Sequence, residues 1–196
     1  MPLPRDERYA EAVAWEAGQL LRCSRGRAFV LFTSYATMRA VVQRLEPELD
    51  YPVLVQGTAP RSTLLAEFRR TPNAVLFATS SFWQGVDVQG DQLSAVIIDK
   101  LPFASPGDPI VAARIDALAA QGLSAFEAYQ VPLAILALQQ GLGRLIRHRT
   151  DRGILAVLDP RIRSMGYGRR FLASLPPAPV TYDMEQVRRF FADGAD

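Results

Sequence analysis

Residues 139–153 read QQGLGRLIRHRTDRG, and their spacing suits anion chemistry. If this stretch is helical, Gln140, Arg144 and Arg147 fall at i, i+4 and i+7 and share one stripe. A guanidinium is permanently charged and meets a phosphate with two parallel N–H donors. Gly143 removes a side chain beside the stripe and admits close approach. The competing reading is a solvated helix face carrying ordinary arginines. A glycine that costs about 1 kcal/mol of helix propensity favours a site over that reading. The second segment, ATSSFWQGVDVQG at 78–90, follows an apolar run directly. Thr79, Ser80 and Ser81 offer hydroxyls to phosphate oxygens, Gly85 a tight backbone, and Asp87 an acceptor for a ribose. The adjacent Phe82 and Trp83 either meet a base or anchor the loop in the core; the core is favoured for Trp83 and left open for Phe82.

Composition removes several classes. The chain has 196 residues, 49% hydrophobic and 21% charged, so it is globular and large enough to bury a core. The formal charge of +2 names no partner. From Arg144 to Arg170, however, eight arginines face two aspartates, which suits a polyanion. One cysteine, Cys23, and one histidine, His148, rule out an internal disulfide, a cysteine-based metal cluster or a site built on two imidazoles. Cys23 reads as a buried helix residue and His148 as a cation at a helix end. The only lysine is Lys100, in IIDKLPF, so the Gly-Lys-Ser/Thr phosphate loop is absent. No run has the length of a membrane span and the start PLPRDERYAE is not a signal peptide, so a soluble cytoplasmic protein is expected.

The elements that position these residues alternate between strand and helix. A first helix is predicted from Arg8 to Cys23, with Ala12, Trp15 and Leu20 among its apolar positions. Strands follow at RAFVLFTS, YPVLVQG, NAVLFATS, LSAVIID and GILAVLD, apolar almost throughout as doubly covered strands are. Between them lie a helix capped by Ser34 from Ala36 to Leu45, one from Pro60 to Pro72, one from Pro109 to Gln121, and one from Ser124 to Arg147. Ser124 and Glu127 have capping-box spacing, and Pro132 must kink the last helix or sit near its start. YGRRFLASL predicts a short helix, PVTYD a last strand, and Asp183 with Gln186 a box opening the final helix. This alternation predicts an α/β fold with a parallel sheet covered on both faces. Function then sits at the carboxyl ends of the strands. Thr33-Ser34-Tyr35, Thr79 to Asp87, and the loops at Lys100 and Asp159 all fall there.

FVLFTSY, FATSSFWQGVDVQGDQLSAVIIDKLPF and LQQGLGRLIRHRTDRGILAVLDPR together resemble motifs IV, V and VI of superfamily 2 helicases. The resemblance is to the second RecA-like motor domain of the DinG/XPD branch. It implies a three-layer RecA-like domain: a lead-in helix over 1–26, a motif-bearing core over 27–176, and a terminal strand and helix over 177–196. It implies that Arg147 is an arginine finger and Arg144 a second γ-phosphate ligand. Gln140, Gly143, Gly85 and Asp87 would complete the ATP site, and Thr33, Ser34, Tyr35, Thr79 and Ser80 would hold single-stranded DNA. Gln84 replaces the branch's usual glutamate and receives no role. The branch's phosphate loop, Mg²⁺-binding acid and iron–sulfur cysteines belong to the first motor domain and are missing here. ATP and Mg²⁺ would therefore be bound only with that N-terminal partner, any iron–sulfur cluster would lie in it, and the isolated chain would be inactive. This implies a piece of a longer repair or replication helicase. The alternative is a stand-alone, non-catalytic module that binds nucleic acid or nucleotide.

Overall fold

The computed structural model describes residues 1–79, 82, 93–142 and 152–193. Five short apolar runs form the strands β1 (Ala28–Phe32), β2 (Val53–Val55), β3 (Val75–Thr79), β4 (Ala95–Ile98) and β5 (Ile154–Val157). They make one sheet in the order β2-β3-β1-β4-β5, and every pairing is parallel. Because strand side chains alternate, the sheet divides its apolar residues between two layers. Phe29, Leu31, Leu76, Ala78, Val96 and Ile98 face one layer, and Ala28, Val30, Phe32, Val75, Phe77, Ala95 and Ile97 face the other.

Helices cover both faces. On the second face lie α1 (Tyr9–Ser24) and α2 (Tyr35–Leu45), which present Val13, Ala17, Leu21, Met38, Val41 and Leu45. On the first lie α3 (Arg61–Arg70), α5 (Val131–Leu142) and α7 (Gly168–Ser174), with Leu64, Phe68, Ala134, Leu138 and Phe171. The other α-helices among the described residues are α4 (Pro109–Ala120), α6 (Arg161–Ser164) and α8 (Met184–Ala192). Trp15 does not belong to the core: it is 66% exposed, while Tyr9, Val13, Ala14 and Ala17 carry the buried stripe of α1. The period was right, but the stripe lies a residue or two away from the bulkiest side chain.

The proline-containing crossover resolves in a specific way. A π-helical turn at Phe126–Gln130 runs into α5, placing Pro132 in its first turn. In a first turn the N–H that proline lacks has no intrahelical partner to lose, so α5 tolerates Pro132 there. The expected capping box is half formed: Glu127 N–H donates to Ser124 Oγ at 3.4 Å, but the Glu127 carboxylate binds Arg170. The described part of α5 ends at Leu142, so the remainder of that predicted helix lies outside the described residues.

PVTYD is not a strand. Residues 175–183 have no regular structure, because Pro176, Pro177 and Pro179 remove the donors a ladder needs. Instead, Asp183 N–H donates to Thr181 Oγ1 at 3.0 Å, and Asp183 Oδ1 caps α8 by accepting from Glu185 N–H at 2.9 Å. That cap reaches Glu185, not the Gln186 of the predicted box. Cys23 is half-buried and burial pushes its thiol pKa up, which keeps it protonated. Among the described residues no helix is long and apolar enough to cross a membrane.

Candidate nucleic-acid interface

From the central strand β1 the chain moves to β2 and β3 on one side; from β3 it crosses to β4 and β5 on the other. The carboxyl ends of β1 and β4 therefore flank a switch point, where open α/β sheets bind ligands. Backbone bonds carry the ladder one residue past the strands here: Asp99 N–H donates to Leu31 O and Gln56 N–H to Phe77 O.

Asp99 bridges the switch point. Its Oδ1 accepts from Thr33 N–H at 3.0 Å and from Lys100 N–H at 2.7 Å. The side chain is fully buried, and its Oδ2 and Thr33 Oγ1 have no partner among the described residues. Burial pushes the Asp99 pKa up to about 7, against the lowering pull of Lys100 and of the two amide donors. Tyr9 reaches the same place from α1. Its hydroxyl donates to Asp99 O at 2.5 Å and lies 3.4 Å from Leu158 O, and burial, followed by the nearby Asp99, raises its pKa. Asp159, after β5, accepts from Leu101 N–H at 2.9 Å and forms an ion pair with Arg161 at 2.6 Å. That carboxylate holds Arg161 more firmly protonated. Two buried carboxyls and a tyrosine thus tie together the ends of β1, β4 and β5.

On the other side of β1, Gln56 joins two residues singled out by sequence. Its Oε1 accepts from Thr79 N–H at 2.6 Å and Thr79 Oγ1 at 3.0 Å, and its Nε2 donates to Tyr35 Oη at 2.6 Å. Ser34 caps α2: its Oγ accepts from Thr37 N–H at 3.2 Å and lies 2.9 Å from Thr37 Oγ1. Tyr35 is 47% exposed, whereas Thr79 is buried. Thr33, Ser34, Tyr35 and Thr79 therefore share one edge. Phe82 belongs to the core: it is buried, with the Arg61 guanidinium 5.3 Å from its ring centre. Base stacking by Phe82 is thereby excluded in this conformation. Gln140 lies exposed near the end of α5. Ser80, Ser81, Trp83, Gly85, Asp87, Gly143, Arg144, Arg147 and His148 lie outside the described residues.

Sequence reading missed Gln56, Tyr9, and the joining roles of Asp99 and Asp159. A polar residue directly after an apolar strand was the available signal for three of them. Tyr9 carried none, since an aromatic at the start of a helix reads as core.

A family model described as a helicase C-terminal domain matches residues 17–178. The chain belongs to that family. The ATP-dependent DNA helicase YoaA of Escherichia coli K12 is 48% identical over 173 residues, covering 88% of this chain and 27% of the relative. The ATP-dependent helicase DinG of Mycobacterium tuberculosis H37Rv is 44% identical over 173 residues, covering 88% of this chain and 26% of the relative. The chain thus spans about a quarter of the length of these curated relatives. A solved XPD helicase structure superposes with a TM-score of 0.69 at 19% identity, covering 87% of this chain and 31% of that one. At that identity the likeness shows the fold, which is RecA-like. The helicase C-terminal domain matched here corresponds to one part of these longer relatives.

Proposed function

We propose that this domain is the C-terminal half of an ATP-driven DNA motor. It completes an ATP site formed with a preceding motor domain and holds single-stranded DNA along the carboxyl edge of its sheet. The observation that carries the reading is the clustering of Thr33, Ser34, Tyr35 and Thr79 at that edge, beside the β1/β4 switch point, in a chain of this family. An exposed hydroxyl there, that of Tyr35, suits a phosphate oxygen and carries no base code, so binding is independent of sequence. Arg144 and Arg147 reach across the cleft to the γ-phosphate. They neutralise charge that develops on its oxygens as water attacks. Gln140 and Gly143 shape that contact, while Gly85 and Asp87 meet the ribose.

ATP and Mg²⁺ are then shared with the partner domain. Among the described residues no group of three His, Cys, Asp or Glu side chains could hold a metal ion. Cys23, as the single cysteine, does not fit an iron–sulfur cluster. Such a cluster would belong to the partner. The DNA-bound motor works in the cytoplasm, where its substrate lies.

The isolated 196-residue chain tests this directly. It should bind a fluorescein-labelled oligo-dT weakly in an anisotropy titration and show no DNA-stimulated ATP hydrolysis. Each neutralised phosphate should add about −0.7 to the slope of log affinity against log salt. Turnover of ATP by this chain alone, or salt-insensitive binding, would overturn the reading.

A further inference from the structure

We infer that Gln56 is a positioning residue: it sets the direction of the hydrogen bonds on this edge and thereby makes the Tyr35 hydroxyl a donor to a phosphodiester oxygen of single-stranded DNA. The inference rests on reading this edge as the strand-holding face.

The direction follows from what each atom can do. A backbone N–H only donates, so the Gln56 atom that meets Thr79 N at 2.6 Å must be the oxygen. Thr79 Oγ1, at 3.0 Å, donates to the same oxygen. The amide is therefore fixed with Nε2 towards Tyr35, 2.6 Å away. An amide nitrogen has protons and no acceptor capacity, so Tyr35 Oη accepts. A phenol that accepts in this way keeps its own proton for another partner, and accepting polarises that O–H further. The Tyr35 proton has no acceptor among the described residues, and the ring is 47% exposed.

Two neighbouring hydroxyls are committed elsewhere, and the Thr33 oxygen is buried with no partner among the described residues. Ser34 Oγ caps Thr37 N–H, and Thr79 Oγ1 donates to Gln56. Tyr35 is the first residue of α2, at the end where the helix presents its positive pole. A fixed donor in an exposed position favours an anionic acceptor. A neutral phenol displaces no counterion, so its contribution adds affinity without adding salt dependence.

The test is a double-mutant cycle on the 196-residue chain, reading anisotropy with fluorescein-labelled oligo-dT at fixed low salt and thermal melting of each variant. Tyr35→Phe removes the proton. Gln56→Glu keeps the shape and still accepts from Thr79, but its carboxylate takes the phenolic proton inward. Tyr35→Phe should weaken binding about tenfold, the size of a hydrogen bond to a charged group, with an unchanged salt slope. Gln56→Glu should weaken it at least as much, because added negative charge also repels the strand. In the Gln56→Glu background, Tyr35→Phe should change affinity less than about twofold, since the shared increment is already gone. Melting temperatures should stay close to the parent's. If Tyr35→Phe costs its full tenfold in both backgrounds, Gln56 does not set the donor and the inference falls while the edge still holds DNA. The inference also falls if Tyr35→Phe costs nothing in the parent. If the parent chain shows no salt-sensitive DNA binding, the reading of the edge falls with it.

Discussion

A carboxyl buried with one oxygen unpartnered makes stability depend on pH. Asp99 titrates near pH 7 in the folded chain, against an ordinary value of 3.8. Between those two values the folded state holds a proton that the unfolded chain has released. Stability from this group is therefore full below about pH 4, falls as pH rises, and is lost above pH 7. The slope is at most about 1.4 kcal/mol per pH unit. Asparagine keeps the acceptor for Thr33 and Lys100 without the ionisation. Urea unfolding at pH 5 and pH 8 should show Asp99→Asn less sensitive to that change than the parent, and relatively more stable at pH 8. Equal pH sensitivity of the two proteins would mean that Asp99 ionises at its ordinary pKa.

The packing of α6 against α7 depends on a missing side chain. A Cβ at Gly168 would lie 2.0 Å from Ile162 O, a backbone atom that cannot swing aside. Gly168→Ala should therefore destabilise by about 1–3 kcal/mol through overpacking, read as a lower denaturant midpoint with unchanged slope; an unchanged midpoint would contradict this packing. Nothing in YGRRFLASL announces that constraint, just as nothing announced the four-residue helix α6 before it. The five strands were legible because buried parallel strands read as continuous apolar runs. Their order was not, since the apolar faces of β1, β3 and β4 are chemically alike. PVTYD misled because its β-branched residues resemble a strand while the prolines before them forbid pairing. At the site, Thr33, Ser34, Tyr35 and Thr79 were legible as strand-end residues. Gln56 was legible only as a polar residue after an apolar run; that it joins residues 21 and 23 positions away is encoded in no local pattern.

At the scale of the whole molecule, the sheet gathers Thr33, Ser34, Tyr35 and Thr79 along one edge, and the proposed function has the ATP chemistry shared with another domain. A domain spanning about a quarter of its relatives can supply arginines to a phosphate that another domain binds. Loss of such an arginine should leave nucleotide binding mostly intact and act on turnover. Arginine fingers contribute about 10³–10⁵ in rate, and that order, or somewhat less, is expected here. The measurement that tests this most directly is steady-state, DNA-stimulated ATP turnover by the full-length polypeptide carrying Arg147→Ala, with nucleotide affinity measured on the same preparation. A large loss of turnover with affinity nearly retained is the result expected; turnover close to that of the unsubstituted protein would contradict the assignment of Arg147 and, with it, the motor reading of this domain.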